Sequence, residues 1–231
     1  MEKSITFCIL LCIWAASVMA QAENMAGKTL FLNTAFGVQV PAFSNLNGVL
    51  SKEGYLPLNK LYFSRGGGFY TIFPRIPVAS MFNLCSYTAS HTKENKSNWV
   101  RATQAGTSLG LVIKNSSKFQ LIPYGGLVYS WFGVRVSNNA PGEADFASYL
   151  SAPANQHHLS SNGFMANFGL HVARTQLGKG KFGQSIVAGL RAGYYLPLGN
   201  QTWKTNTLTL TNGPNANSGG FYTSLIIGLA Q

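Results

Sequence analysis

The chain has 231 residues, of which 46% are hydrophobic and only 10% charged, where a soluble domain carries about 25% charged residues. Seventeen Lys and Arg stand against six Asp and Glu, a formal charge of +11. The basic residues are scattered and form no patch or basic helix, which argues against nucleic acid and favours anionic lipid as the partner of the positive balance.

In chain order, residues 1–22 read as a cleaved secretory signal. Lys3 gives the positive start, Ile5 to Val18 the apolar run, and Ala20 and Ala22 the small residues before the cut. The run is shorter than the roughly 20 residues of a spanning helix. Cleavage after Ala20 or Ala22 removes Cys8 and Cys12 and leaves Cys85 as the one thiol of a single domain over residues 23–231. It reads as a small buried hydrophobe rather than a disulfide partner.

After the signal there is no long apolar run and no sustained helical period. Apolar and aromatic segments alternate with Asn, Ser, Gly and Pro clusters, which predicts about eight strands. They fall near residues 28–42, 59–73, 75–88, 99–114, 118–137, 162–175, 182–198 and 219–231. Several alternate in hydropathy. In the third, Ile76, Val78, Phe82 and Leu84 oppose Arg75, Asn83 and Cys85. In the sixth, Phe164, Phe168 and Leu170 oppose Asn167 and His171. In the seventh, Ile186, Leu190 and Leu196 share a face opposite Arg191. The second and fifth strands do not alternate cleanly. The run Gly66, Gly67, Gly68 reads as a bulge or a tightly curved stretch of wall.

The connections alternate in length. Those near 43–58, 89–98, 138–161 and 199–218 are long, and those at Pro74, at Asn115 to Ser117 and near 176–181 are short. Long outer loops and short inner turns mark outer-membrane barrels. The reading is therefore a closed antiparallel up-and-down transmembrane β-barrel of about eight strands. Arg75, Asn167, His171 and Arg191 become candidate lumen residues. Phe43, Tyr62, Tyr87, Trp99, Trp131, Phe164, Tyr194 and Tyr222, at the outer strand ends, become candidates for an aromatic girdle at the headgroup level.

The segments YFSRGGGFYTIFP, FQLIPYGGLVYSWFGVRVS, GLRAGYYLPLG and GGFYTSLIIGLAQ, together with the signal, give a chain that resembles the small outer-membrane β-barrel proteins of Bacteroidota, cousins of the OmpX/OmpW-like eight-stranded barrels. The resemblance implies outer-membrane localisation, a non-enzymatic role, insertion by the barrel-insertion machinery, and lipid and lipopolysaccharide as surroundings. It implies no cofactor. Such barrels usually close on an aromatic residue, whereas Gln231 stands here.

Catalysis is poorly supplied. His158 and Ser160 share a strand face and could form a nucleophilic pair, but no acid follows Asp145, and Glu143 and Asp145 lie in the preceding loop. His157 and His158 are adjacent and point apart in extended chain, so a metal site is not expected. The expected role is structural, surface-binding or porin-like small-solute passage by a monomer. The alternatives are a membrane-embedded lipid A hydrolase and a secreted soluble lipocalin-like binder.

Overall fold

The computed structural model describes residues 30–116, 119–138, 156–178, 183, 185–199, 202–205, 208–210, 213–214 and 218–230. The signal at 1–22, the acids Glu143 and Asp145, and Gln231 lie outside the described residues.

Eight long strands make the wall: β1 (Leu30–Pro41), β2 (Tyr62–Ile72), β3 (Val78–Lys93), β4 (Lys96–Leu111), β6 (Gln120–Asn138), β7 (Gln156–Thr175), β8 (Ile186–Pro197) and β11 (Gly220–Ala230). Three two-residue strands, β5 (Lys114–Asn115), β9 (Trp203–Lys204) and β10 (Thr209–Leu210), attach outside the ring. Each wall strand pairs antiparallel with its neighbour, β6 pairs with β7, and β11 returns to β1, so the sheet closes. Following partners around the ring from Leu121 through Val172, Leu190, Leu225, Phe36, Arg65, Ser86 and Thr103 leads back to β6 at Trp131. That stagger of ten residues on eight strands corresponds to a tilt of about 40°.

The period-two alternation sorts the side chains inside out relative to a soluble domain. Leu32, Phe36, Leu84, Leu109, Leu127, Phe168, Leu190, Leu225 and Ile227 point outward and are exposed, while Gln39, Gln104, Asn167, His171 and Arg191 point inward and are buried. The second and fifth predicted strands resolve the same way once paired. On β2, Tyr62, Ser64 and Tyr70 are buried and Phe63 and Arg65 exposed, and on β6, Ile122, Tyr124, Val128 and Phe132 are buried. Gly66 to Gly68 form no bulge, because β2 keeps an unbroken register with both neighbours. These glycines mark close approach instead. A β-carbon at Gly66 would run into the Leu84 carbonyl, and one at Gly68 into the Phe82 carbonyl.

Two connections differ from expectation. The segment 89–98 is not a loop. Strands β3 and β4 run on to Lys93 and Lys96 and are joined by the two-residue turn Glu94–Asn95, with Glu94 at φ 54°. This departs from the strict long-short alternation. Residues His91 to Asn95 are polar and exposed on both faces, and Asn98 beyond them is polar but buried against the α1 segment, so the pairing leaves no hydropathy signal. The first connection contains a helix, α1 (Ser44–Lys52), in a stretch whose sequence shows no sustained helical period. Nine residues are too few for a stable isolated helix, so α1 depends on packing. It ends in a Schellman motif, with Tyr55 N–H donating to Leu50 O (2.8 Å), Gly54 N–H to Ser51 O (3.1 Å), and Gly54 at φ 76°.

Helix α1 is turned into the barrel mouth. Leu46 and Leu50 pack with Phe43, Leu58, Tyr62, Tyr87, Val100, Phe132, Val134 and Trp203 in one apolar cluster. Hydrogen bonds hold the segment down. Asn47 Nδ2 donates to Leu58 O (3.0 Å) and its Oδ1 accepts from Leu58 N–H (2.7 Å), while Asn98 Nδ2 on β4 donates to Pro57 O (2.9 Å). Truncating a buried Leu to Ala costs about 2–5 kcal/mol. The Leu46→Ala/Leu50→Ala double variant should therefore be cleaved by trypsin after Lys52 much faster than wild type, while the barrel keeps its heat-dependent gel shift. Equal cleavage rates would show that α1 is not held by this cluster.

Candidate functional site: a sealed polar belt in the lumen

The lumen has three storeys. The outer one is the α1 cluster just described. The inner one is a second apolar cluster of Phe31, Tyr70, Ile72, Ala79, Met81, Ile122, Ala173, Val187 and Ala230, with Phe31 and Tyr70 stacked at 4.4 Å. Between them lies a polar belt supplied by the inward positions of all eight wall strands.

Arg191 is its centre. β8 and β3 stand four strands apart in the ring, so Arg191 crosses the full lumen. Its Nη1 donates to Asn83 Oδ1, and its Nε donates to His171 Nδ1 at 3.4 Å. Acceptance at Nδ1 identifies a neutral His171 carrying its proton on Nε2. The inward neighbours of Arg191 along β8 are Gly189 and Gly193; a β-carbon at Gly193 would run into the Tyr222 ring, and one at Gly189 into Ala173.

Around it run two hydrogen-bonded chains. In one, Tyr124 and Tyr222 share a hydroxyl contact of 2.5 Å, Tyr222 Oη donates to Asn167 Oδ1 (2.8 Å), and Asn167 Nδ2 donates to Ser108 Oγ (3.3 Å). In the other, Gln39 Nε2 donates to Gln104 Oε1 (3.0 Å), Cys85 Sγ donates to the same oxygen (3.1 Å), Gln104 Nε2 donates to Ser218 O (3.0 Å), and Ser218 and Ser130 bond through their hydroxyls. Cys85 is therefore a member of a polar network rather than a small hydrophobe in an apolar core.

The structure brings together three of the four expected lumen residues, Asn167, His171 and Arg191, all buried. Arg75 is the exception. It lies in the turn between β2 and β3 and is exposed, because β3 begins only at Val78. Of the proposed girdle, Trp99, Trp131, Phe164 and Tyr194 lie on the outward face, whereas Phe43, Tyr62, Tyr87 and Tyr222 are buried in the lumen. For Tyr62 and Tyr222 the outward counterparts are the adjacent phenylalanines. Phe63 is 64% exposed and Phe221 67%. A usable signal is present in the sequence: in the pairs Tyr62/Phe63, Phe69/Tyr70 and Phe221/Tyr222, the ring with a hydroxyl faces the polar lumen.

The His158 and Ser160 pair, discounted from the sequence as a nucleophilic site, gains no support from its surroundings. His158 and Ser160 do share the outer end of β7, but Ser160 Oγ donates to Lys204 O at 3.3 Å. The carboxylates among the described residues, Glu53 and Glu94, are exposed in outer connections.

No protein-family model matches the chain, and no curated protein matches it. Solved structures do. A major outer membrane protein of Thermus thermophilus is similar with a TM-score of 0.49 at 11% identity, over 87% of this chain and 97% of that one. The N-terminal β-barrel domain of Pseudomonas aeruginosa OprF gives 0.42 at 13%, over 89% and 99%. Ail, the attachment invasion locus protein of Yersinia pestis, gives 0.44 at 9%, over 88% and 98%.

Removing one partner from a buried hydrogen-bonded chain costs about 1–3 kcal/mol. Tyr222→Phe should lower the unfolding free energy of the barrel in urea by that amount, because Asn167 Oδ1 and the Tyr124 hydroxyl both lose a partner. Tyr194→Phe, on the outward face, should stay within about 0.5 kcal/mol of wild type. Equal effects would contradict the polar chain.

Proposed function

We propose that the chain is exported behind its 1–22 leader and inserted, by the barrel-insertion machinery, as a monomeric integral protein of a bacterial outer membrane. Its role there is structural and surface-binding, without catalysis. The observation that carries this reading is the outward face. Apolar side chains cover the wall on all sides, far beyond the few hundred Å² that a soluble monomer leaves exposed. A soluble lipocalin-like binder would turn these residues inward, so that alternative is disfavoured.

The band also has the right height. A strand tilted by about 40° climbs roughly 2.5 Å per residue. On β6 the outward residues from Leu121 to Trp131 then span about 25 Å, the thickness of the apolar belt of such barrels. Phe63, Phe164, Phe221 and Trp131 sit near its upper margin. Above them the contiguous strands β3, β4, β6 and β7, of 16, 16, 19 and 20 residues, rise well past the 11- and 12-residue strands of the other half.

Small-solute passage fits the lumen poorly, because two apolar storeys stop it at both ends. Surface binding fits the tall half better. Its outward face carries Arg101 and Arg135, with Thr88, Thr103 and Ser90 between and Trp99 stacked against Arg135 at 5.6 Å, and Arg65 stands next to it on β2. Arginine forks with hydroxyls at the headgroup level suit the phosphates of lipopolysaccharide. Barrel purified from its own envelope should carry lipopolysaccharide, measured by native mass spectrometry. The Arg65→Gln/Arg101→Gln/Arg135→Gln variant should lose it about tenfold while folding normally. Undiminished lipopolysaccharide in that variant would remove this face from the reading.

A further inference from the structure

Arg191 is only 4% exposed and is always charged. Yet its hydrogen-bond partners, Asn83 and His171, are neutral. Its third nitrogen, Nη2, is fully buried with no partner among the described residues. No carboxylate among those residues faces the lumen, since Glu53 and Glu94 are exposed in outer connections. A buried charge without a counter-charge costs several kcal/mol. Here bulk water cannot reach it easily either, with apolar storeys above and below and the apolar band outside.

Beside Arg191 lies a cavity of about 30 Å³, whose polar lining includes Gln39, Asn83, Cys85, Tyr195 and Ser224. That is room for a water molecule or one small ion, and too little for an organic acid. The lining is rich in donors. Asn83 spends its amide oxygen on Nη1, which leaves its NH₂ to donate. The Ser224 and Tyr195 hydroxyls can each donate as well.

We infer that this cavity is a binding site for one small inorganic monovalent anion of the chloride type, held beside the Arg191 guanidinium by the Asn83 amide and the Ser224 hydroxyl. The anion supplies the counter-charge that the wall itself lacks. Water in the cavity would leave the charge uncompensated. Apolar storeys stand above and below the cavity, so the anion is a structural ligand of the folded chain rather than a permeating solute. This inference is independent of what the outer surface binds.

A ligand that binds only the folded state raises stability by equal steps for each tenfold rise in its concentration above half-saturation. The test uses the full barrel in zwitterionic detergent, with the midpoint of its heat-dependent gel shift followed in sodium chloride and in sodium gluconate at equal ionic strength. Wild type should show that stepwise rise in chloride and not in gluconate. Arg191→Gln should have the same midpoint in both salts, while the outward control Arg174→Gln should respond like wild type. Crystals grown in bromide provide a second reading that needs no variant. An anomalous peak in this cavity, beside the Arg191 guanidinium, supports the site. Identical wild-type midpoints in the two salts, or a cavity holding only water in bromide crystals, would overturn it.

Discussion

Every backbone N–H and C=O of the wall has to find its partner within the ring, because the medium outside offers none. An unpaired group in hydrocarbon costs several kcal/mol, and a barrel wall of this length holds well over a hundred such groups. Closure of β11 onto β1 over the eleven pairs from Phe31–Ala230 to Pro41–Gly220 is therefore the condition on which the rest stands. The tilt, the inside-out sorting of side chains and the filling of the lumen all follow from it. The short strands do not break the rule, since β5 and β9 attach at the ends of β6 and β7 and β10 attaches to β9.

Closing eight strands fixes a lumen too narrow for a channel and too wide to leave empty. The chain fills it with large side chains on some strands and glycines on others. At Gly193 a β-carbon would meet the Tyr222 ring, and at Gly66 and Gly68 one would meet the Leu84 and Phe82 carbonyls, so glycine is what lets these neighbours approach. Tyrosine is the favoured filler because its ring packs and its hydroxyl joins the belt, as Tyr124 and Tyr222 do. The outer mouth is closed by a different device, a helix too short to stand alone, held by Leu46 and Leu50. The same closure that makes the wall stable in lipid thus isolates a charged, hydrogen-bonded interior from both aqueous sides.

Much of this is legible in the sequence, and the failures have physical causes. The eight wall strands lie close to where hydropathy alternation places them, because lipid on one side and a packed lumen on the other force opposite chemistries onto adjacent residues. Where that contrast vanishes, the signal vanishes. The hairpin tip from His91 to Asn95 stands in water on both faces, so its pairing leaves no trace. Helix α1 offers only Leu46, Val49 and Leu50 as its period, too few turns to register. Tyr62 and Phe63, or Phe221 and Tyr222, are aromatic on both faces, so hydropathy cannot choose between them, although the hydroxyl does. The alternation of β3 reaches Arg75 only on paper, because the chain is still in a turn before Val78. The belt partners Asn83, Gln39 and Gln104 meet only through ring closure, which no local pattern encodes.

The central claim is that hydrocarbon covers the outward side chains. Spin labels introduced singly at Leu190 and Leu225 on the outward face, and at Lys93 on the outer hairpin, in a Cys85→Ser background, test it directly in lipid vesicles. Labels at Leu190 and Leu225 should be relaxed by oxygen dissolved in the bilayer and ignored by a water-soluble nickel chelate, with the reverse at Lys93. Strong relaxation of the Leu190 and Leu225 labels by the nickel chelate would contradict the account.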